Sequence, residues 1–238
     1  MKFILNKNYV LETRTIPLVS FLVALSILIG LCVWQLKRLA WKEELINLRV
    51  ERFEKNIVPF ESLEKPENHE FTKVKIKGTF YNQFEMYMPA LSKNGNNGYH
   101  ILVPLKLIDN TYIIYDLGWI PLRKKSKEKR LENIVNDFHE MEAVLRTPGR
   151  KGKYQPDNEL ENNFWFFVEP IQMSKFTGLN LEKLFYLEAV NNGPAGFPLG
   201  GQTRIYIRNN HLQYAITWFL IALGLIGVFM AASLKKIK

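Results

Sequence analysis

IPLVSFLVALSILIGLCVWQL, residues 16–36, is a 21-residue stretch without a charged side chain. At about 1.5 Å rise per residue it reaches roughly 30 Å as a helix, the thickness of a bilayer's hydrocarbon core. YAITWFLIALGLIGVFMAASL, residues 214–234, repeats the property near the other end of the 238-residue chain. Both stretches read as transmembrane helices. The 177 residues between them, 37–213, hold 26 Lys and Arg against 22 Asp and Glu, a mixture too polar for lipid and long enough for one folded domain. The expected organisation is a tail at 1–15, a span at 16–36, a water-soluble domain at 37–213, a span at 214–234 and a tail at 235–238. Bulk figures hide it, because 47% hydrophobic residues and a mean hydropathy of −0.12 describe an ordinary soluble domain.

Charge and cysteine usage remove several classes of function. The net charge of +9 divides into +4 on the middle domain and +5 on the tails, so the surplus flanks the lipid bilayer, and anionic lipid is a better partner than nucleic acid. Cys32 is the only cysteine, which excludes an internal disulfide, a C-x-x-C redox pair, c-type haem attachment and a cysteine-based copper site. Leu31 before it is too bulky for a lipoprotein signal, and the first span exceeds a signal peptide's apolar length without an A-x-A-like end. It is expected to remain as an anchor. Two spans put both tails on one side. Lys37, Arg38, Lys42 and Arg49 oppose the tail cations, but long loops cross largely regardless of charge, so the short basic tails are expected in the cytoplasm and the domain outside it. The first 15 residues do not form a transit peptide, so a multi-pass protein of a bacterial inner membrane, with its central domain in the periplasm, is expected.

Residues 34–56 contain no Gly or Pro and extend the first helix beyond the membrane. Trp34, Arg38 and Trp41 then share one face, as an interfacial aromatic belt with basic anchors would. After Pro59 the period changes to two. Val74-Lys75-Ile76-Lys77 alternates and Gly78 follows, as in a half-buried strand ending in a bend. Further strands are expected at 84–88, 99–108, 112–117, 141–145, 164–168, 184–189 and 204–208, with a hairpin turn at 108–111 and a short helix at 170–177. The fold class is a membrane protein in which two transmembrane helices flank a mainly antiparallel β domain, barrel- or sandwich-like, of α+β type. Residues 123–130, RKKSKEKR, read as a solvated loop, with a lipid headgroup or an acidic partner as the alternative.

Enzyme signatures are scarce, and no catalytic residue is expected. His139-Glu140 opens a zinc-protease-like string, but Ala143 stands where its second His belongs. P-loop, G-x-S-x-G and dinucleotide fingerprints are missing. Glu85 and Asp116 could pair in space, yet surface carboxylates are commoner. His69, His100 and His139 read as surface or packing residues. His211 differs, because His211, Tyr214, Ala215 and Trp218 lie at i, i+3, i+4 and i+7 at the edge of the second span. That face could hold a haem iron through His211 between aromatic walls; an interfacial aromatic anchor explains the same residues. Arg204 and Arg208, on one side of a strand with Tyr206 between them, suit carboxylates such as haem propionates and lipid phosphates equally.

These segments carry a resemblance. WQLKRLAWK at 34–42, VKIKGTF at 74–80, LGWIP at 117–121, the NNFW segment ending at Trp165 and GGQTRIYIRNNHLQYAITW at 200–218 are similar to the Surfeit locus protein 1 family, the cytochrome c oxidase assembly factors of mitochondria and respiring bacteria. The resemblance covers nearly the whole chain. It implies a chaperone-like role in the respiratory chain, helping haem a reach or stay placed in oxidase subunit I. It also implies His211 as the position that binds haem a transiently, as an iron ligand, and haem a synthase as a partner. A cofactor-free scaffold that stabilises an oxidase subunit intermediate is the alternative. A mitochondrial copy would need a targeting extension, and its absence favours a bacterial protein.

Overall fold

The computed structural model describes residues 2–4, 9–92 and 94–236. In chain order its elements are β1 (Lys2–Ile4), β2 (Tyr9–Glu12), α1 (Thr15–Glu54), β3 (Val58–Pro59), β4 (Lys73–Phe80), β5 (Met86–Leu91), β6 (Asn97–Lys106), β7 (Tyr112–Pro121), β8 (His139–Arg146), α2 (Pro170–Thr177), β9 (Tyr186–Ala189), α3 (His211–Ser233) and β10 (Leu234–Lys236). They form two units, Met1–Asn47 with Tyr206–Lys238, and Leu48–Ile205.

The first unit pairs α1 with α3 in antiparallel fashion. Phe21 stacks on Phe229 at 4.0 Å between ring centroids, and the Cys32 thiol lies 3.5 Å from the Ala215 carbonyl oxygen. Seven-residue spacing explains the seam. Phe21, Gln35 and Lys42 recur at multiples of seven on α1, and Ala215, Ala222 and Phe229 do so on α3, with Ala215 and Ala222 buried. Small alanines let the backbones approach closely. Away from the seam, large apolar side chains such as Ile16, Leu22, Leu220 and Val228 are exposed, and both helices have the length and apolar composition to cross a bilayer. The 40 residues of α1 run past the apolar stretch, as the Gly- and Pro-free sequence at 34–56 leads one to expect. β2 pairs with both β1 and β10, and Glu12 meets Lys2 at 3.7 Å and Lys235 at 3.1 Å, because the antiparallel helices bring the chain's two ends together.

The second unit is a barrel. Strand order β4-β8-β9-β7-β6 closes where β4 returns to β6 through Thr79↔Lys106 and Phe80↔Leu105, with β3 added beside β4 and β5 beside β6. Pairing is antiparallel except β3–β4 and β7–β9. Alternation places Val74, Ile76, Ile101, Val103, Ile113, Tyr115, Leu145 and Leu187 in the interior, and closure leaves no exposed ladder between β4 and β6. Gly78 does not end β4, contrary to expectation. The strand continues to Phe80, and a Cβ at Gly78 would stand 2.7 Å from the Lys106 carbonyl oxygen, so glycine marks the close approach that closes the barrel. β7 likewise continues past Gly118, whose φ of 110° accompanies a register shift at Ile101/Leu102.

Trp165 is fully buried and packs with Met86, Leu102, Ile114 and Met173 in a second core outside the barrel. Pro170 at the first turn and Gly178 in left-handed conformation at the end set α2, over the residues expected. The 84–88 strand begins later, at Met86, after a 3-10 turn at Asn82–Phe84. Two expected strands are absent. Residues 164–168 are irregular, with Phe164 alone making isolated bridges, because Trp165 and Val168 plug the second core rather than alternate across a ladder. Residues 204–208 show the period-two pattern, with Arg204, Tyr206 and Arg208 exposed and Ile205 and Ile207 partly buried, but have no ladder partner among the described residues.

Candidate functional site

Asn210 precedes α3, so His211 opens the helix at the end of the α1–α3 seam. Its Nδ1 lies 2.7 Å from Oε1 of Gln35. An amide oxygen only accepts, so in the uncharged ring this contact places the proton on Nδ1 and leaves the lone pair on Nε2. Gln35 is 8% exposed and stands in the last turn of an otherwise apolar run, where a polar group needs a partner. One imidazole tautomer and ring orientation is therefore selected, as for a metal-binding histidine with an outer hydrogen-bond partner.

A cleft of about 190 Å³ adjoins the ring, lined by Lys42, Arg208, Asn210, His211 and Tyr214. The Asn210 amide, oriented by its hydrogen bonds, accepts from Nε and Nη2 of Arg208 at 3.0 Å each, which holds the guanidinium. Lys42 and Arg208 make the cleft cationic beside the imidazole. The expected face of His211, Tyr214, Ala215 and Trp218 divides in the structure. Ala215 is buried against α1, Tyr214 lines the cleft with half its surface exposed, and Trp218 is partly buried with an indole Nε1 that has no partner among the described residues. Arg38 lies 3.9 Å over the Trp41 ring, so two members of the expected Trp34–Arg38–Trp41 face do meet. No group of three or more His, Cys, Asp or Glu placed to hold a metal ion occurs among the described residues.

Glu85 and Asp116 are not a carboxylate pair. Both are buried, but Glu85 takes a two-pronged ion pair from Arg130 and a 3.1 Å hydrogen bond from the Tyr87 hydroxyl. Burial, with Glu85 alongside, pushes the Tyr87 phenol up to about 12. Asp116 lies 2.6 Å from His100 Nδ1 and accepts from the Gly118 backbone N–H at 2.8 Å. Burial opposes charging His100, and the Asp116 carboxylate outweighs it, so the pKa is raised. His100 is therefore an ion-pair partner, not a surface residue, and Arg130, expected in a solvated loop, is 1% exposed. A lone charge inside a basic run carries no local sign that it turns inward.

The profile of the SURF1 family matches residues 22–223. The chain belongs to the SURF1 family. It is similar to the SURF1-like protein of Rickettsia prowazekii, with 33% identity over 222 residues, covering 89% of this chain and 88% of that one. Identity to Surfeit locus protein 1 of Takifugu rubripes is 29% over 227 residues, 88% of this chain and 93% of that one, and to that of Homo sapiens 28% over 208 residues, 80% and 68%. The SURF1 match takes in α1 from residue 22, the barrel, α3 up to residue 223 and every residue lining the cleft at His211.

Proposed function

We propose that this protein assists assembly of cytochrome c oxidase, anchored in a bacterial inner membrane by α1 and α3 with its barrel in the periplasm, and that it holds haem a at His211 for delivery to or retention in subunit I. The observation that carries the haem reading is the Gln35–His211 hydrogen bond, which leaves Nε2 free to donate to an iron. Haem a, when bound, would supply an iron that takes a nitrogen ligand and carboxylate groups that take cations. His211 suits the first and Lys42 with Arg208 the second. A volume of about 190 Å³ is below the roughly 300–1,000 Å³ of enclosing ligand pockets, so most of the macrocycle would rest on exposed surface such as Tyr214. A carrier that must release its cargo is served by such partial enclosure and a single side-chain ligand. The same small cleft favours the second reading, a cofactor-free scaffold for an oxidase subunit intermediate. Neither role requires catalysis by the chain. Deleting the protein is expected to lower assembled oxidase and its haem a absorbance while b-type cytochromes persist; equal loss of all membrane cytochromes would overturn the oxidase-specific role.

A further inference from the structure

The barrel interior is not filled to its end. At one mouth a cavity of about 360 Å³ opens, with Phe80, Tyr115, Leu117, Met141 and Ala189 among its lining residues. We propose that this mouth binds a small, neutral, flat aromatic molecule of one or two rings that carries an N–H or O–H donor, of the indole or phenol class.

Size comes first. A dry cavity of about 150 Å³ accepts benzene, so this one has room for a two-ring guest, and barrel mouths are recurrent ligand sites. The walls are aromatic. Phe80 makes edge contacts with Tyr115 at 5.0 Å and with His139 at 5.4 Å, a pattern another ring can extend. The polar groups around the opening are already tied to one another, so the site is preformed. The Asn82 amide N–H donates to the Val135 carbonyl at 2.7 Å and to Asn136 at 3.0 Å. Asn133 donates to the Pro194 carbonyl and Asn191 to the Glu142 carboxylate. His139 Nδ1 donates to the Asp137 carbonyl at 2.9 Å.

Among the described residues, those bonds leave acceptors at Nε2 of His139 and the amide oxygens of Asn82 and Asn191, beside amide N–H donors of Asn191 and Asn192. A guest with a donor completes them. An anionic guest is disfavoured by the Glu140 and Glu142 carboxylates in the lining, and a cation gains little from Glu140, which Lys75 and Lys77 already hold at 2.7 and 3.3 Å. The Tyr115 hydroxyl donates to the Glu142 carbonyl at 3.2 Å, and burial raises its pKa so that it stays neutral.

The test is fluorine NMR of 5-fluoroindole with the full-length protein in lipid nanodiscs, with empty nanodiscs subtracted. Saturable binding with a dissociation constant on the order of 0.1–1 mM is expected. Ala189→Leu fills the cavity and should weaken binding about tenfold or more. His139→Phe keeps a ring and removes an acceptor; it should weaken 5-fluoroindole several-fold while leaving its N-methyl derivative, itself the weaker ligand for the wild type, unchanged. The indole fluorescence of buried Trp165 verifies folding of each variant. No saturable binding, equal binding by folded Ala189→Leu, or equal affinity for the N-methyl derivative would each overturn the proposal.

Discussion

Arg130→Met tests the buried ion pair on which the second unit depends. The Arg130 and Glu85 side chains are 2% and 1% exposed, and the guanidinium also donates through Nε to the Lys124 carbonyl at 3.0 Å. Removing Arg130 leaves Glu85 buried with the Tyr87 hydroxyl as its remaining side-chain donor among the described residues. An uncompensated buried charge of this kind costs about 3–5 kcal/mol, a large part of the roughly 5–15 kcal/mol that holds a domain folded. With a urea slope of about 2 kcal/mol per molar, the midpoint should fall by roughly 2 M. Urea titration of the full-length protein, followed by Trp165 fluorescence, reads this directly because that ring sits at zero exposure in the second core. The double variant Arg130→Met, Glu85→Leu removes both charges and should recover most of the loss. A midpoint shift below about 0.5 M in the single variant, or a double variant as unstable as the single, would refute the reasoning.

Gln35→Leu should lower haem a affinity about 10- to 100-fold, while Gln35→Glu, which still accepts from Nδ1, should retain most of it; titration with haem a distinguishes the two. His100 has its folded-state pKa raised above 6.5 by Asp116 against the opposing effect of burial, so its contribution to stability is whole below about pH 6.5 and is lost as pH rises through the folded value. Unfolding midpoints across that range should show a decline that His100→Gln flattens. Reporter fusions should place both termini in the cytoplasm and Asn96 in the periplasm; a cytoplasmic readout at Asn96 would reverse the orientation.

What was legible in the sequence was local. Residues 170–177 announce α2 through Pro170 and Gly178, and Asp109-Asn110 announces the turn between β6 and β7, where Asp109 accepts from the Thr111 backbone N–H at 2.9 Å and Asn110 takes a φ of 65°. Period two in 74–77 identified β4 but not its continuation, because Gly78 is required by Lys106 from a distant strand. Barrel closure and the inward turn of Arg130 likewise depend on partners far along the chain. Residues 204–208 show the limit of periodicity, since alternation reports which side is wet and says nothing about a ladder. At the site, helical spacing brought His211 and Tyr214 to one cleft but did not show that Ala215 turns into the seam and that Trp218 lies outside the cleft lining. Gln35 was missed although it carried a signal: a polar side chain in an apolar run, seven residues before Lys42.

The proposed ligation of haem a by His211 is tested most directly by the haem a content and absorption spectrum of His211→Ala purified after co-expression with haem a synthesis. Wild-type protein should copurify with haem a near one per chain, and folded, membrane-inserted His211→Ala should lose it, since alanine offers no ligand to iron. His211→Met, which supplies a thioether, should keep part of the haem with a shifted spectrum. If His211→Ala carries as much haem a as wild type with the same spectrum, the ligand assignment is wrong and the scaffold reading takes its place.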